Sequence, residues 1–63
     1  MSFPNLPKGI MMQHYLDALT PGTEILASDF AKMFNLSNVS RAGKELGIRD
    51  DMNKVDIGVY VKL

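Results

Sequence analysis

The sequence predicts a small α+β domain in a single unit over residues 1–63. Three observations predict it. Apolar residues recur at helical spacing in three separate segments. Pro, Gly and Asn punctuate the chain between those segments. Near the end, Val55, Ile57, Val59, Val61 and Leu63 alternate strictly with Asp56, Gly58, Tyr60 and Lys62. Helical periodicity buries one stripe of a helix, whereas alternation buries one face of a strand. The implied order is helix, short strand, helix, tight turn, helix, hairpin.

The first helix is expected from Pro7 to about Leu19. At about 100° per residue, Met11, Met12, Tyr15, Leu16, Ala18 and Leu19 share an apolar sector opposite Gln13, His14 and Asp17. Asn5 or Leu6 would cap it, and Pro suits a first turn whose N–H groups have no partner inside the helix. Residues 1–6 are expected to be a flexible N-terminal segment. Thr20-Pro21-Gly22-Thr23 fits a type II turn, in which Gly22 takes up positive φ. Glu24-Ile25-Leu26-Ala27 is too short for a helix and reads as a brief strand.

Ser28 then reads as an N-cap, with Asp29 in the first turn, where the helix dipole favours an anion. Phe30, Ala31, Met33 and Phe34 give a short helix of about seven residues, and Asn35 suits a left-handed stop. Ser37 is the cap expected for the third helix, whose inward face is Val39, Ala42 and Leu46. Gly43 borders that face and permits close approach of another element. Gly47 ends the helix. Ile48-Arg49, Asp50 to Asn53 and Lys54 to Leu63 read as strand, loop and strand, with Asp50-Asp51 at the hairpin tip.

Composition excludes several classes of function. With no Cys there is no disulfide, no thiolate metal site and no cysteine nucleophile. One His cannot supply a structural zinc site. His14 has no Ser and Asp arranged around it, the carboxylates are scattered, and no Gly-rich phosphate loop occurs. No catalytic residue, cofactor or metal is therefore expected, and neither is a small-molecule substrate. No apolar run approaches the ~20 residues of a membrane span, and the N-terminus lacks the pattern of a secretory signal, so a cytoplasmic protein is expected. Met11, Met12, Met33 and Met52 are expected as core filler.

The order of elements, with a short second helix abutting a third and a hairpin at the end, resembles the winged helix-turn-helix family over about residues 8–63. Its local carriers are Ser28 to Ser37, where a capping residue, a small Ala and a turn of Asn-Leu-Ser stand as the family has them. The ending Gly58-Val59-Tyr60-Val61-Lys62-Leu63 is similar to the last wing strand. Asn35 stands where the family more often has Gly, and Val39 comes about two residues early. The resemblance implies a three-helix helix-turn-helix core with a C-terminal β-hairpin wing. It also implies that the third helix reads double-stranded DNA in the major groove.

The residues of that helix suit the role. Opposite its apolar face lie Ser37, Arg41 and Lys44, with Ser40 flanking and Asn38 at one edge. Arg binds guanine O6 and N7 in two bonds, Lys reaches phosphate or guanine, and Ser or Asn donates at the helix start. A solvated face of no function is the other reading of the same residues, and Glu45 could pair with Arg41. Arg49 and Lys54 are candidate phosphate contacts.

The formal charge is zero, with seven basic and seven acidic residues, yet it is unevenly spread. Residues 31–49 carry Lys32, Arg41, Lys44 and Arg49 against Glu45, which is +3. Residues 1–30 stand at −2 and residues 50–63 at −1. A polarised neutral protein can bind a polyanion on one face. The expected function is a small transcriptional regulator or architectural factor, acting as a homodimer or on repeated sites. Mobile elements and phages use such proteins, an association from size and fold only. The alternative is a protein–protein interaction module, a small inhibitor or adaptor on the same scaffold, which the acidic Asp50-Asp51 and an exposed strand edge favour. A third arrangement is a homodimer whose last strand completes a shared sheet.

Overall fold

The computed structural model describes residues 6–63, and its first element, α1 (Lys8–Asp17), starts directly after Pro7. Pro7 itself holds the N-cap position with extended backbone and no side-chain cap. Asn5 and most of the segment 1–6 lie outside the described residues, and Leu6 is not the cap. Met12 and Leu16 are fully buried and Tyr15 and Leu19 half-buried, whereas Met11 faces solvent. The helix ends at Asp17, earlier than expected. Thr20 precedes Pro21, a position that disfavours helical backbone. The following turn closes as expected, with Thr23 N–H donating to the Thr20 carbonyl at 3.1 Å and Gly22 at φ 93°.

β1 (Glu24–Leu26) runs without a break into α2 (Ala27–Met33). Ser28 is therefore not the N-cap; it lies inside the first turn, and Leu26 precedes the helix with extended backbone. No side-chain cap is present there. The Ala27 N–H instead donates to the Gly58 carbonyl at 2.8 Å, which satisfies one otherwise unpaired donor at the helix start. At the other end Asn35 takes φ 53°. Leu36 N–H bonds the Ala31 carbonyl at 2.8 Å and Asn35 N–H bonds Lys32 at 3.2 Å, a Schellman stop.

α3 (Val39–Gly47) is capped by Asn38 rather than Ser37: Asn38 Oδ1 accepts from the Arg41 N–H at 3.1 Å. The distance in sequence decides this, because a cap bonds the N–H two or three positions into the helix that starts after it. Ala42 and Leu46 are buried, but Val39, expected inward, is 48% exposed because it sits in the first turn, beyond the edge of the core. Ile48 and Arg49 do not form a strand. They continue the helical turn, with Arg49 N–H reaching the Leu46 carbonyl.

The alternating run from Val55 to Leu63 is not one strand. It folds back at Ile57-Gly58 between β2 (Met52–Asp56) and β3 (Val59–Lys62), where Gly58 takes φ 68°. The two strands pair antiparallel, with Lys54 opposite Tyr60 and Asp56 opposite Val59, so Val55 is a bulge. The phase is also reversed. Tyr60 and Lys62 face inward, Val59 and Val61 are half-buried, and Val55, Ile57 and Leu63 are exposed. Alternation alone leaves open which of its two faces is inside, and the turn at 57–58 chose the other one. The hairpin tip is therefore Ile57-Gly58, not Asp50-Asp51.

The three strands form one antiparallel sheet in the order β1-β3-β2. Because β3 is central, both its edges are used, and it cannot complete a sheet shared with a second copy. Met12, Leu16, Ile25, Phe30, Leu46, Met52 and Tyr60 form the core with three alanines. The rings of Tyr15, Phe30 and Phe34 pack at its side, 4.9–6.1 Å apart. Of the methionines expected as filler, Met12 and Met52 are in the core, whereas Met11 and Met33 face solvent.

Candidate nucleic-acid interface

Burial of Ala42 and Leu46 orients α3, and the residues on its other side are consequently exposed: Ser40, Arg41 and Lys44, with Ser37 and Asn38 leading into it. Asn38 spends its side-chain oxygen on the cap, so its amide NH₂ is the group left to donate outward. Lys32 of α2 is exposed beside them, lining the same surface groove as Ser37, Asn38 and Val39. It belongs to the basic segment 31–49, but helical spacing within α3 alone does not show that a neighbouring helix contributes.

The ion pairs separate these cations from the others. Among the described residues three form: Arg49 with Asp17 at 2.6 Å, Arg49 with Asp51 at 2.8 Å, and Lys62 with Asp51 at 3.0 Å. None involves Lys32, Arg41, Lys44 or Lys54. Glu45 makes no ion pair with Arg41 and accepts instead from the Gln13 side-chain amide, at 3.0 Å to its carboxylate and 3.3 Å to its main-chain carbonyl.

Arg49 is placed differently from the rest of the candidate set. Its side chain is 12% exposed, and all three guanidinium nitrogens donate within the fold, to both Asp51 oxygens, Asp17, and the Gln13 side chain and carbonyl. Hydrogen bonding to Asp51 raises its pKa further, against the opposing effect of burial and with help from Asp17. In turn the Arg49 and Lys62 hydrogen bonds hold the Asp51 carboxyl well below the usual carboxylate range. With Arg49 neutralised internally, the exposed charge of residues 31–49 is +2, from Lys32, Arg41 and Lys44 against Glu45.

Lys54 is exposed on β2. It stands opposite Tyr60 on β3, and directly opposed residues share a side of the sheet. Tyr60 Oη donates to the Gly43 carbonyl of α3 at 3.5 Å, so that side is the one against which α3 packs. Ser40, Arg41 and Lys44 thus share the exposed side of α3, with Ser37 and Asn38 leading into it, and Lys54 is exposed on the hairpin. Asp50 is exposed but lies in the α3–β2 connection, and the acid nearest the tip is Asp56.

His14 is exposed on α1, and among the described residues no cluster of His, Cys, Asp or Glu could hold a metal ion. No described helix is long and apolar enough to cross a membrane. Comparison with family models, curated proteins and solved structures finds no match for this chain.

Proposed function

We propose that this chain is a winged helix-turn-helix protein that binds double-stranded DNA, with α3 in the major groove and the β2–β3 hairpin as its wing. One observation carries the reading: α3 presents Arg41 and Lys44 exposed and, among the described residues, free of internal ion pairs, while Ala42 and Leu46 of its other face are buried in the core. Arg41 is the candidate for guanine, and Lys44, Lys32 and Lys54 are candidates for phosphate. Ser37, Ser40 and the Asn38 amide add donors at the helix start. Arg49 belongs in this scheme to the support of the fold. It ties α1 to Asp51 and so sets where α3 ends relative to β2.

Three or four phosphate contacts give modest affinity, falling with a log–log salt slope of about −3 to −4. The test is duplex binding at two salt concentrations, for the wild type and for Arg41→Ala with Lys44→Ala. The wild type is expected to bind at low salt, and the double variant to lose most binding and, with the Lys44 phosphate contact gone, about one unit of slope. Absence of wild-type binding, or equal binding by the variant, overturns the reading. The exposed hairpin tip at Ile57 favours a second reading, a protein-interaction module, for which the double variant would be silent.

A further inference from the structure

Ile57 is 91% exposed at the hairpin tip, and Val55 is exposed beside it. The tip is tied down on both sides. The Gly58 carbonyl accepts from Ala27 N–H at 2.8 Å, and the Asp56 carboxylate accepts from Ile57 N–H at 2.7 Å. Ile57 is thus a held knob, not part of a frayed end. Turn chemistry explains Gly58 and Asp56 at this corner, but it gives no reason for an isoleucine.

At the far end of α2 a groove of about 380 Å³ opens between α1 and α2. It is lined by Leu6, Lys8, Met11, Met33, Phe34 and Asn35. Met11 and Met33 are exposed, and methionines are the side chains best able to reshape around an incoming group. The charges at the two places are opposite. The groove carries Lys8, whose ammonium donates to the Asn35 carbonyl at 3.2 Å and makes no ion pair among the described residues. The knob carries Asp56, which makes none either.

We propose that the chain self-associates head to tail. Ile57 of one copy sits in the Met11–Met33 groove of the next, with Asp56 facing the Lys8 of that copy. Charge complementarity selects a second copy as the occupant, since knob and groove are matched in polarity and in sign on the same chain. They are different patches, so the contact is heterologous, and a pair of copies keeps one free knob and one free groove at its two ends. The exposed face of α3 takes no part, and the inference does not depend on DNA binding.

Sedimentation of the full chain over a concentration series into the millimolar range tests this. The wild type is expected to exceed its 7.0 kDa monomer mass, and Ile57→Asp and Met33→Glu are each expected to remain monomeric. Both changes are at exposed positions, and circular dichroism verifies that each variant is folded. An equimolar mixture of the two restores association but stops at a pair, because one variant keeps a working groove and the other a working knob. Lys8→Glu weakens assembly, and adding Asp56→Lys to the same chain restores it. A wild type that stays monomeric overturns the proposal. So does a mixture that stays monomeric while the wild type associates, which places the contact elsewhere. If Phe3→Ser makes a monomeric wild type associate, the groove is filled by the chain's own N-terminal segment, and the proposal fails.

Discussion

The Lys62 ammonium donates at 2.6 Å to the main-chain carbonyl of Leu16, joining β3 to the last turn of α1. Carbonyls at a helix C-terminus lack partners within the helix and carry the negative end of its dipole, so a cation there serves both needs. Asp51 holds the same ammonium from the other side at 3.0 Å and holds Arg49 as well. Two cations and two carboxylates thus form an internal cluster that fastens α1 to the sheet.

Lys62 is 8% exposed, so its charge has little water to fall back on. Lys62→Met keeps the stem and removes the ammonium, so the Leu16 carbonyl keeps only the Leu19 N–H and Asp51 Oδ2 only Arg49. The expected loss is about 1–3 kcal/mol. In a domain of this size each kcal/mol lowers Tm by roughly 4–8 °C. Thermal melts of Lys62→Met beside the exposed-site control Lys54→Met check it. Equal melting of the two would mean that the cluster adds nothing.

Acid should erode this cluster late. The Asp51 carboxyl is held below its unfolded value of ~3.9, chiefly by Arg49 and then by Lys62. Its stabilisation is therefore complete above that value and disappears only as pH falls through the lower folded one. Asp51→Asn is expected to be less stable than wild type at neutral pH, with the gap narrowing below about pH 4. Denaturant unfolding across a pH series measures the gap, and a constant difference down to the acid limit contradicts the assignment.

Gly43 is a glycine inside a helix that has room for more. A Cβ built there would lie 3.7 Å from Tyr60 Oη, an ordinary contact. Gly43→Ala should therefore stabilise the fold by about 0.8–1.0 kcal/mol through helix propensity. A decrease in chemical-denaturation stability would show that the Tyr60–Gly43 contact is tighter than the geometry states.

Asn35 occupies left-handed backbone at φ 53° between α2 and α3. Asn35→Gly should be tolerated, whereas Asn35→Val should cost about 1–2 kcal/mol. Lys8 bonds the Asn35 main-chain oxygen, so neither change removes that contact. Comparable unfolding midpoints for the two variants would rule out backbone strain as the reason for Asn at this position.

Features that depend on a residue's own backbone were legible in the sequence. Gly22 and Asn35 adopt the positive φ that turn and stop require, and the three helices lie where apolar spacing puts them. What depends on a distant partner was not. Ser28 has the chemistry of a cap, but the Gly58 carbonyl reaches the helix start first. The alternation around Val59 and Val61 is genuine, yet its phase was settled by the turn at Ile57-Gly58 and the bulge at Val55. In the candidate site, Arg41 and Lys44 are exposed as helical spacing demands. Arg49 looked equivalent to them because Asp17 and Gln13, which occupy it, lie on another helix.

The place of β3 in the middle of the sheet bears on how the chain acquires its fold. In the sequence α1, β1, α2 and α3 all precede the strand that joins β1 to β2 and brings Lys62 to α1. Without it β1 has no partner and Phe30 and Leu46 lack the Tyr60 side of their core. Contacts that span so much of the chain form slowly and close last. Pairing of β3 with both its neighbours is therefore the contact that closes the core.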